Sequence, residues 1–293
     1  MALAITLAAV SAGCAQEEVT TPEPTATEES PQAEASKVTF KLREFAFDVP
    51  KSFKGGLVEI LMDNSAGKES HEAEMTLLSD GKTVKDLQEH YKNTEAPPEW
   101  AKPYGGSGPV LAGKQATYTA NLPEGTYALV CHVPSPSDGT AHLEKGMVSE
   151  VKVEKGEDGE LPESDLTIDG AEKEENGKTT FSFDGIEDLK AGEQTVKMTV
   201  TSKQPHFFAL TELQEGKTPE DVLKFFSSEG PPSGPPPFGN FPGLAATMLP
   251  GQESTRTLDL EPGTYVMFCL IPDTDGTPHA AKGMLQKIEI KEA

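Results

Sequence analysis

Positive charge is what this sequence most lacks. Its 293 residues carry 25 Lys and Arg against 48 Asp and Glu, a formal net charge of −23. Such a surface repels phosphates and anionic head groups, so nucleic acid is not expected as a partner; it suits docking to a basic protein, though charge alone selects no partner. Cysteine is scarce as well: three residues are too few to staple an exported domain with disulfides. The apolar run at the N-terminus, Ala2–Val10, falls short of the about 20 residues that span a bilayer. No phosphate-binding glycine loop and no Ser/His/Asp motif is present.

What the N-terminus offers is an export signal. Ala2–Val10 suits its apolar core, and Ala12 and Gly13 precede Cys14. Residues 1–14 resemble a signal peptide ending in the lipobox of bacterial lipoproteins. The resemblance implies lipidation of Cys14 and a lipid anchor to the cell membrane on its extracytoplasmic face. An ordinary cleaved signal, with secretion, is the alternative. Residues 15–36 hold six Glu, no basic residue and no aromatic, a composition that cannot offset its ordering entropy. A disordered acidic tether is expected there.

The rest of the chain is written twice. "SDGKTVKDL" at 79–87 matches "QEGKTPEDV" at 214–222, and "NLPEGTY" at 121–127 matches "DLEPGTY" at 259–265. Two tandem domains are expected, over 37–153 and 164–293, with a linker at 154–163. The acidic, Gly-containing stretch 154–177 reads as that linker plus a mobile entry to the second domain. Within each repeat, "KVTFKLREFAFDV", "GGLVEILMD", "KTTFSFDG" and "EQTVKMTVTS" alternate apolar and polar residues as strands do. Thr83 and Thr218 are expected N-caps of one short helix per repeat, with Pro219 at the first helical position. The expected fold class is all-β, two Greek-key β-sandwiches.

The longest match carries the chemistry: "YALVCHVPSPSDGTAHLEKGM" at 127–147 returns as "YVMFCLIPDTDGTPHAAKGM" at 265–284. A strand ending in Cys, a loop, a His and a Met, with another His far upstream, resembles the type 1 copper site of cupredoxins. The rusticyanin and sulfocyanin branch is the nearest in pattern, and the resemblance spans 37–153 and 164–292. It implies cupredoxin-like domains, each holding up to one copper through His71, Cys131, His142 and axial Met147, and through His206, Cys269, His279 and axial Met284. Two imidazoles, a thiolate and a long thioether contact suit both oxidation states of copper. The upstream histidine is expected from the opposite sheet, and the turns "SDGT" and "TDGT" are expected to fold the loop histidine back beside its cysteine. A Cys131–Cys269 disulfide is the alternative use of those thiols.

The function this implies is single-electron transfer to redox partner proteins; copper storage or delivery, or a metal-free interaction module, are the alternatives. His132 follows Cys131 directly, as in two-domain copper reductases and oxidases. Once four histidines are assigned, only His90 and His132 remain, fewer than a catalytic copper site in those families uses, so no enzyme is expected. The Pro-rich stretches 95–109 and 229–243 are expected to be stiff loops outside the sheets. Their Trp100, Tyr104, Phe238 and Phe241 read as a docking patch for a redox partner or as caps on the core.

Overall fold

The computed structural model describes residues 34–92, 97–226 and 236–292. The signal, Cys14 and most of the tether lie outside the described residues; Ser36, at the end of the expected tether, already opens a strand.

The first repeat contains β1 (Ser36–Arg43), β2 (Ala46–Asp48), β3 (Ser52–Asp63), β4 (His71–Leu78), α1 (Val84–Tyr91), β5 (Ala101–Val110), β6 (Gln115–Leu122), β7 (Gly125–Val130) and β8 (Val148–Glu157). The second contains β9 (Leu166–Glu175), β10 (Lys178–Asp184), β11 (Gly192–Val200), β12 (His206–Glu212), α2 (Pro219–Phe226), β13 (Ala245–Met248), β14 (Glu253–Leu260), β15 (Gly263–Phe268) and β16 (Leu285–Ile290). The fold is all-β, and the two repeats share one strand order, except that β3 also pairs in parallel with β8 and so joins the layers of the first repeat. One layer runs β2-β1-β3-β6 and the other β8-β7-β4-β5; in the second repeat the layers are β10-β9-β11-β14 and β16-β15-β12-β13. β1 lies parallel to β3, as β9 does to β11.

Alternation explains most strands. In β1, Phe40 and Leu42 are buried while Lys41 and Arg43 face solvent. β7 and β15 end instead in continuous apolar runs, because both of their faces are covered. Tyr127, Leu129 and Cys131 enter the sandwich core, whereas Ala128 and Val130 join a second cluster with Leu87 of α1. In the second repeat Tyr265, Met267 and Cys269 face the core, while Val266 and Phe268 pack with Val222 of α2. Period two therefore aims each cysteine inward. Each strand is pinned at its start by a tyrosine corner: the Tyr127 hydroxyl donates to Pro123 O (2.9 Å) and that of Tyr265 to Glu261 O (3.1 Å). Both helices begin as the caps require. Asp86 N donates to Thr83 Oγ1 (3.2 Å) and Asp221 N to Thr218 Oγ1 (3.3 Å).

Three expectations are corrected. "KVTFKLREFAFDV" is not one strand: it turns at Glu44 and Phe45, the latter at φ 60°, and β2 folds back on β1. The acidic stretch 154–177 is largely sheet, because β8 continues to Glu157 and β9 pairs with both β10 and β11. The Pro-rich stretch 95–109 contains most of β5, which tolerates Pro103 because its ladder with β4 is interrupted by register shifts. In the second repeat, Phe238 of the 229–243 stretch makes a single bridge to Leu213; residues 229–235 lie outside the described ones. The four aromatics are half-buried against the clusters beside the helices or the first core.

Both layers continue from one repeat into the other. β6 pairs with β14 and β5 with β13, antiparallel in each case. Arg256, 3% exposed, crosses this seam and donates to Gly108 O (2.9 Å), Pro109 O (3.0 Å) and Leu244 O (3.4 Å).

Candidate metal centres

Cys131 and Cys269 follow β7 and β15 directly. Both are fully buried, and both thiols are free, which removes the disulfide alternative. The chain then returns a histidine to each by forming a miniature hairpin. In the first repeat His142 N donates to Val133 O (2.9 Å), Leu143 N to Cys131 O (2.8 Å) and Ser135 N to Thr140 O (2.9 Å). In the second, His279 N donates to Ile271 O (2.9 Å), Ala280 N to Cys269 O (2.8 Å) and Asp273 N to Thr277 O (2.8 Å). Gly139 and Gly276, at φ 74° and 82°, take the left-handed positions of the two turns. The methionines are tied into the same scaffold. Met147 N donates to His142 O (2.8 Å) and Cys131 N to Met147 O (3.3 Å); the matching bonds at Met284 are 3.0 and 3.1 Å. Both methionine side chains are fully buried in the clusters that hold the cysteines.

His71 and His206 open β4 and β12. These strands neighbour β7 and β15 in the same layer, not in the opposite sheet as expected. The opposite layer supplies support instead: a Cβ at Gly170 of β9 would stand 2.8 Å from the His206 ring, so only glycine leaves room for it.

The structure brings together three expected ligands in each repeat. His71, Cys131 and His142 place their donor atoms within 4.8 Å of one another, as do His206, Cys269 and His279. The two Nδ1 atoms are 3.0 Å apart in both. Sγ of Cys131 lies 3.4 Å from His142 Nδ1, and Sγ of Cys269 lies 3.8 Å from His279 Nδ1.

Hydrogen bonding fixes the tautomers in the second centre. Gln204 Nε2 donates to Asp273 Oδ1 (2.7 Å), which orients the amide so that its Oε1 faces His279 Nε2 at 3.1 Å and must accept. Ser202 spends its one hydroxyl proton on Gln204 O (2.7 Å), so it too accepts from His206 Nε2, at 2.6 Å. Each ring therefore carries its proton on Nε2 and turns an Nδ1 lone pair toward the other. Two lone pairs at 3.0 Å repel unless a cation lies between them, and a buried thiol completes the set. In the first centre the Glu69 carboxylate accepts from His142 Nε2 at 2.9 Å, giving that ring the same tautomer. His71 Nε2 is buried without a hydrogen bond, 3.8 Å from Glu44 Oε1. Two imidazoles and one thiolate, with methionine nearby, form the donor set that suits copper, and each outward nitrogen that finds a partner orients its ring as a ligand.

Burial dominates the titration of these groups. It lowers His71 and His279 to about 4 and His206 to about 3, and the facing histidine adds to the effect at His71 and His206. His142 is also held down by burial, against the pull of Glu69. Burial pushes the Cys269 thiol up to about 12, and burial plus the Glu72 charge pushes Cys131 higher still. Without metal the rings are neutral and the thiols protonated at neutral pH.

The partners of the rings are what sequence reading missed. Glu69 and Gln204 stand two residues before the upstream histidines, a shared spacing that could have flagged them. Phe45 meets His142 edge-on at 5.0 Å between centroids, and Phe181 stacks on His279 at 3.9 Å. His132 lies outside both groups, at the start of the first loop, where its N donates to Glu72 Oε1 (2.9 Å).

No protein-family profile matches the chain, and a search of curated proteins finds no relative. Solved structures do resemble it. Reduced auracyanin from the photosynthetic bacterium Roseiflexus castenholzii is 18% identical, over 42% of this chain and 99% of its own, with a TM-score of 0.29. Copper nitrite reductase from Nitrosomonas europaea is 14% identical, over 88% and 94%, with a TM-score of 0.25. A blue copper oxidase from Nitrosomonas europaea is 14% identical, over 87% and 85%, with a TM-score of 0.24. At these values no activity or residue role transfers. One expectation is nonetheless corrected. Multicopper oxidases and copper nitrite reductases, which are enzymes, stand among the neighbours. The exclusion of an enzyme from the histidine count is therefore withdrawn. The fold is all-β, each repeat a two-layered sandwich.

Proposed function

We propose that the chain binds copper at two type 1 centres and passes single electrons through them. His71, Cys131, His142 and Met147 would hold the first copper, and His206, Cys269, His279 and Met284 the second. The observation that carries this reading is the pair of Nδ1 lone pairs facing each other at 3.0 Å beside a buried thiol. When bound, copper supplies a one-electron couple between its two oxidation states. The residues do the rest. The hairpin and the backbone bonds from cysteine and methionine fix the donors before any metal arrives, so little has to move as charge changes. Glu69, Gln204 and Ser202 hold the rings, and Phe45 and Phe181 cover them.

The run "HAAKGM" at 279–284 supports a likeness to the rusticyanin and sulfocyanin branch. The acidic composition favours redox partners of basic surface. A lipid anchor at Cys14 on the extracytoplasmic face completes the reading, and labelling with a radioactive fatty acid, lost in Cys14→Ala, tests it. Electron transfer is tested by cycling the copper-loaded chain between ascorbate and ferricyanide. The thiolate-to-copper absorption should bleach and return without loss of metal. Irreversible bleaching, or copper release on reduction, would contradict transfer and favour delivery.

A further inference from the structure

The two centres share their backbone contacts at sulfur, with Glu72 adding charge near Cys131 where Phe207 adds none near Cys269. The backbone amides of Glu72 and Val133 face Cys131, and those of Phe207 and Ile271 face Cys269. They differ in what the outward ring nitrogens meet. At equivalent positions, two before the upstream histidine, the first repeat has Glu69 and the second Gln204. The carboxylate lies 2.9 Å from His142 Nε2, and the neutral amide 3.1 Å from His279 Nε2. The upstream histidines repeat the contrast. Glu44 Oε1 is 3.8 Å from His71 Nε2, whereas the Ser202 hydroxyl is 2.6 Å from His206 Nε2.

The surrounding charges point the same way. Lys145 approaches the first centre over the Phe45 ring but is paired with Asp138 at 2.9 Å. Among the described residues, Glu44 and Glu69 lie against the neutral rings of His71 and His142, and neither has a Lys or Arg within ion-pair distance. Near the second centre, Asp273 and Glu172 are each answered by a lysine, Lys282 and Lys203.

Building on the copper reading above, we propose that Glu69 and Glu44, against Gln204 and Ser202, order the two sites. The first centre has the lower reduction potential, and the second keeps the electron. A carboxylate behind an imidazole strengthens it as a donor and adds negative charge near the ion; both favour the more highly charged oxidation state. When a one-electron donor gives the doubly loaded chain a single electron, Cu(II) at the second centre becomes Cu(I) and the first stays Cu(II). No bond breaks and no proton leaves. Partners of this kind change metal affinity about 10–100-fold, so the expected preference is at least about tenfold, or 59 mV for one electron.

The test is a redox titration of the copper-loaded full chain, followed by the thiolate-to-copper absorption. Cys131→Ser and Cys269→Ser assign each step. Two one-electron steps are expected, with the centre that survives in Cys269→Ser reduced at the lower potential. Glu69→Gln should raise that potential by the equivalent of about tenfold or more, and Gln204→Glu should lower the potential of the other centre. Both are positioning residues, and a purely structural role would leave the potential of a loaded, absorbing centre unmoved. Equal potentials, the reverse order, or a Glu69→Gln centre with its band and potential unchanged would overturn the assignment. In the fully oxidised chain the band reports Cu(II) bound to the thiolate. Its absence from the unmodified chain would overturn the copper reading itself, and this ordering with it.

Discussion

Adding Cu(II) to the metal-free chain at pH 7 should release about one proton per copper bound, because a thiolate is the ligand and the thiol is the resting form. The number follows from the buried groups. His71, His206 and His279 lie at about 4, 3 and 4, so the rings are already neutral and give up nothing. Cys269 is pushed up to about 12 from its ordinary 9.0, and Cys131 higher. Both thiols therefore hold their protons until metal arrives. Raising Cys269 by that amount makes its ionisation about 4 kcal/mol harder, a cost that the metal–sulfur bond must offset. The apparent affinity should consequently rise about tenfold per pH unit between about pH 5 and pH 8. A pH-stat titration under argon measures the release directly, and calorimetry in two buffers of different ionisation enthalpy checks it. Cys131→Ser should abolish the release from one site only. Release of about three protons per copper would mean that the rings are charged in the metal-free protein. No release would mean that the thiol is not a ligand. Either result refutes the reasoning.

Acid should act on the metal-free chain through the same rings. Their folded values lie below the unfolded value of about 6.5, so the unfolded state binds more protons below that pH. Through the rings, stability should be level between about pH 6.5 and pH 8 and fall toward about pH 4 at up to about 1.4 kcal/mol per pH unit per ring, in urea titrations at stepped pH. Arg256→Ala removes three buried hydrogen bonds at the seam between repeats, although Gly108 O keeps the Ser107 hydroxyl as a donor, and should cost about 3–5 kcal/mol; a loss under about 1 kcal/mol in urea unfolding would contradict that role. Gly283 and Gly146 both have positive φ, 123° and 100°. A Cβ at Gly283 would meet Phe181 O at 2.3 Å, whereas one at Gly146 meets nothing within 4 Å. Gly283→Ala should therefore cost more than the about 1–2 kcal/mol of strain alone, and it should loosen only the second centre, where Phe181 stacks on His279. Equal losses in the two variants would count against it.

The candidate ligands were legible because their pattern repeats. Cys131 and Cys269 sit at strand ends whose inward face period two predicts, and "SDGT" and "TDGT" announced the turns that return His142 and His279. The helices were legible from Thr83, Thr218 and Pro219. What stayed hidden lies where composition argues against packing. "LTIDGAEKEE" reads as a mobile entry by its charge, yet it is β9, with the charged residues at its exposed end and Gly170 bare beneath His206. β5 reads as a loop by its prolines, yet register shifts let it pair. Glu44 and Phe45 read as part of a strand, yet they turn toward the first centre. In each case a long-range contact overrides the local preference.

The central claim is tested most directly by titrating residues 37–293 with Cu(II) while recording visible absorbance, alongside Cys131→Ser and Cys269→Ser. The account predicts an intense thiolate-to-copper band that saturates at about two coppers per chain and is halved by either substitution. No such band, with both cysteines free and the chain folded, would contradict it.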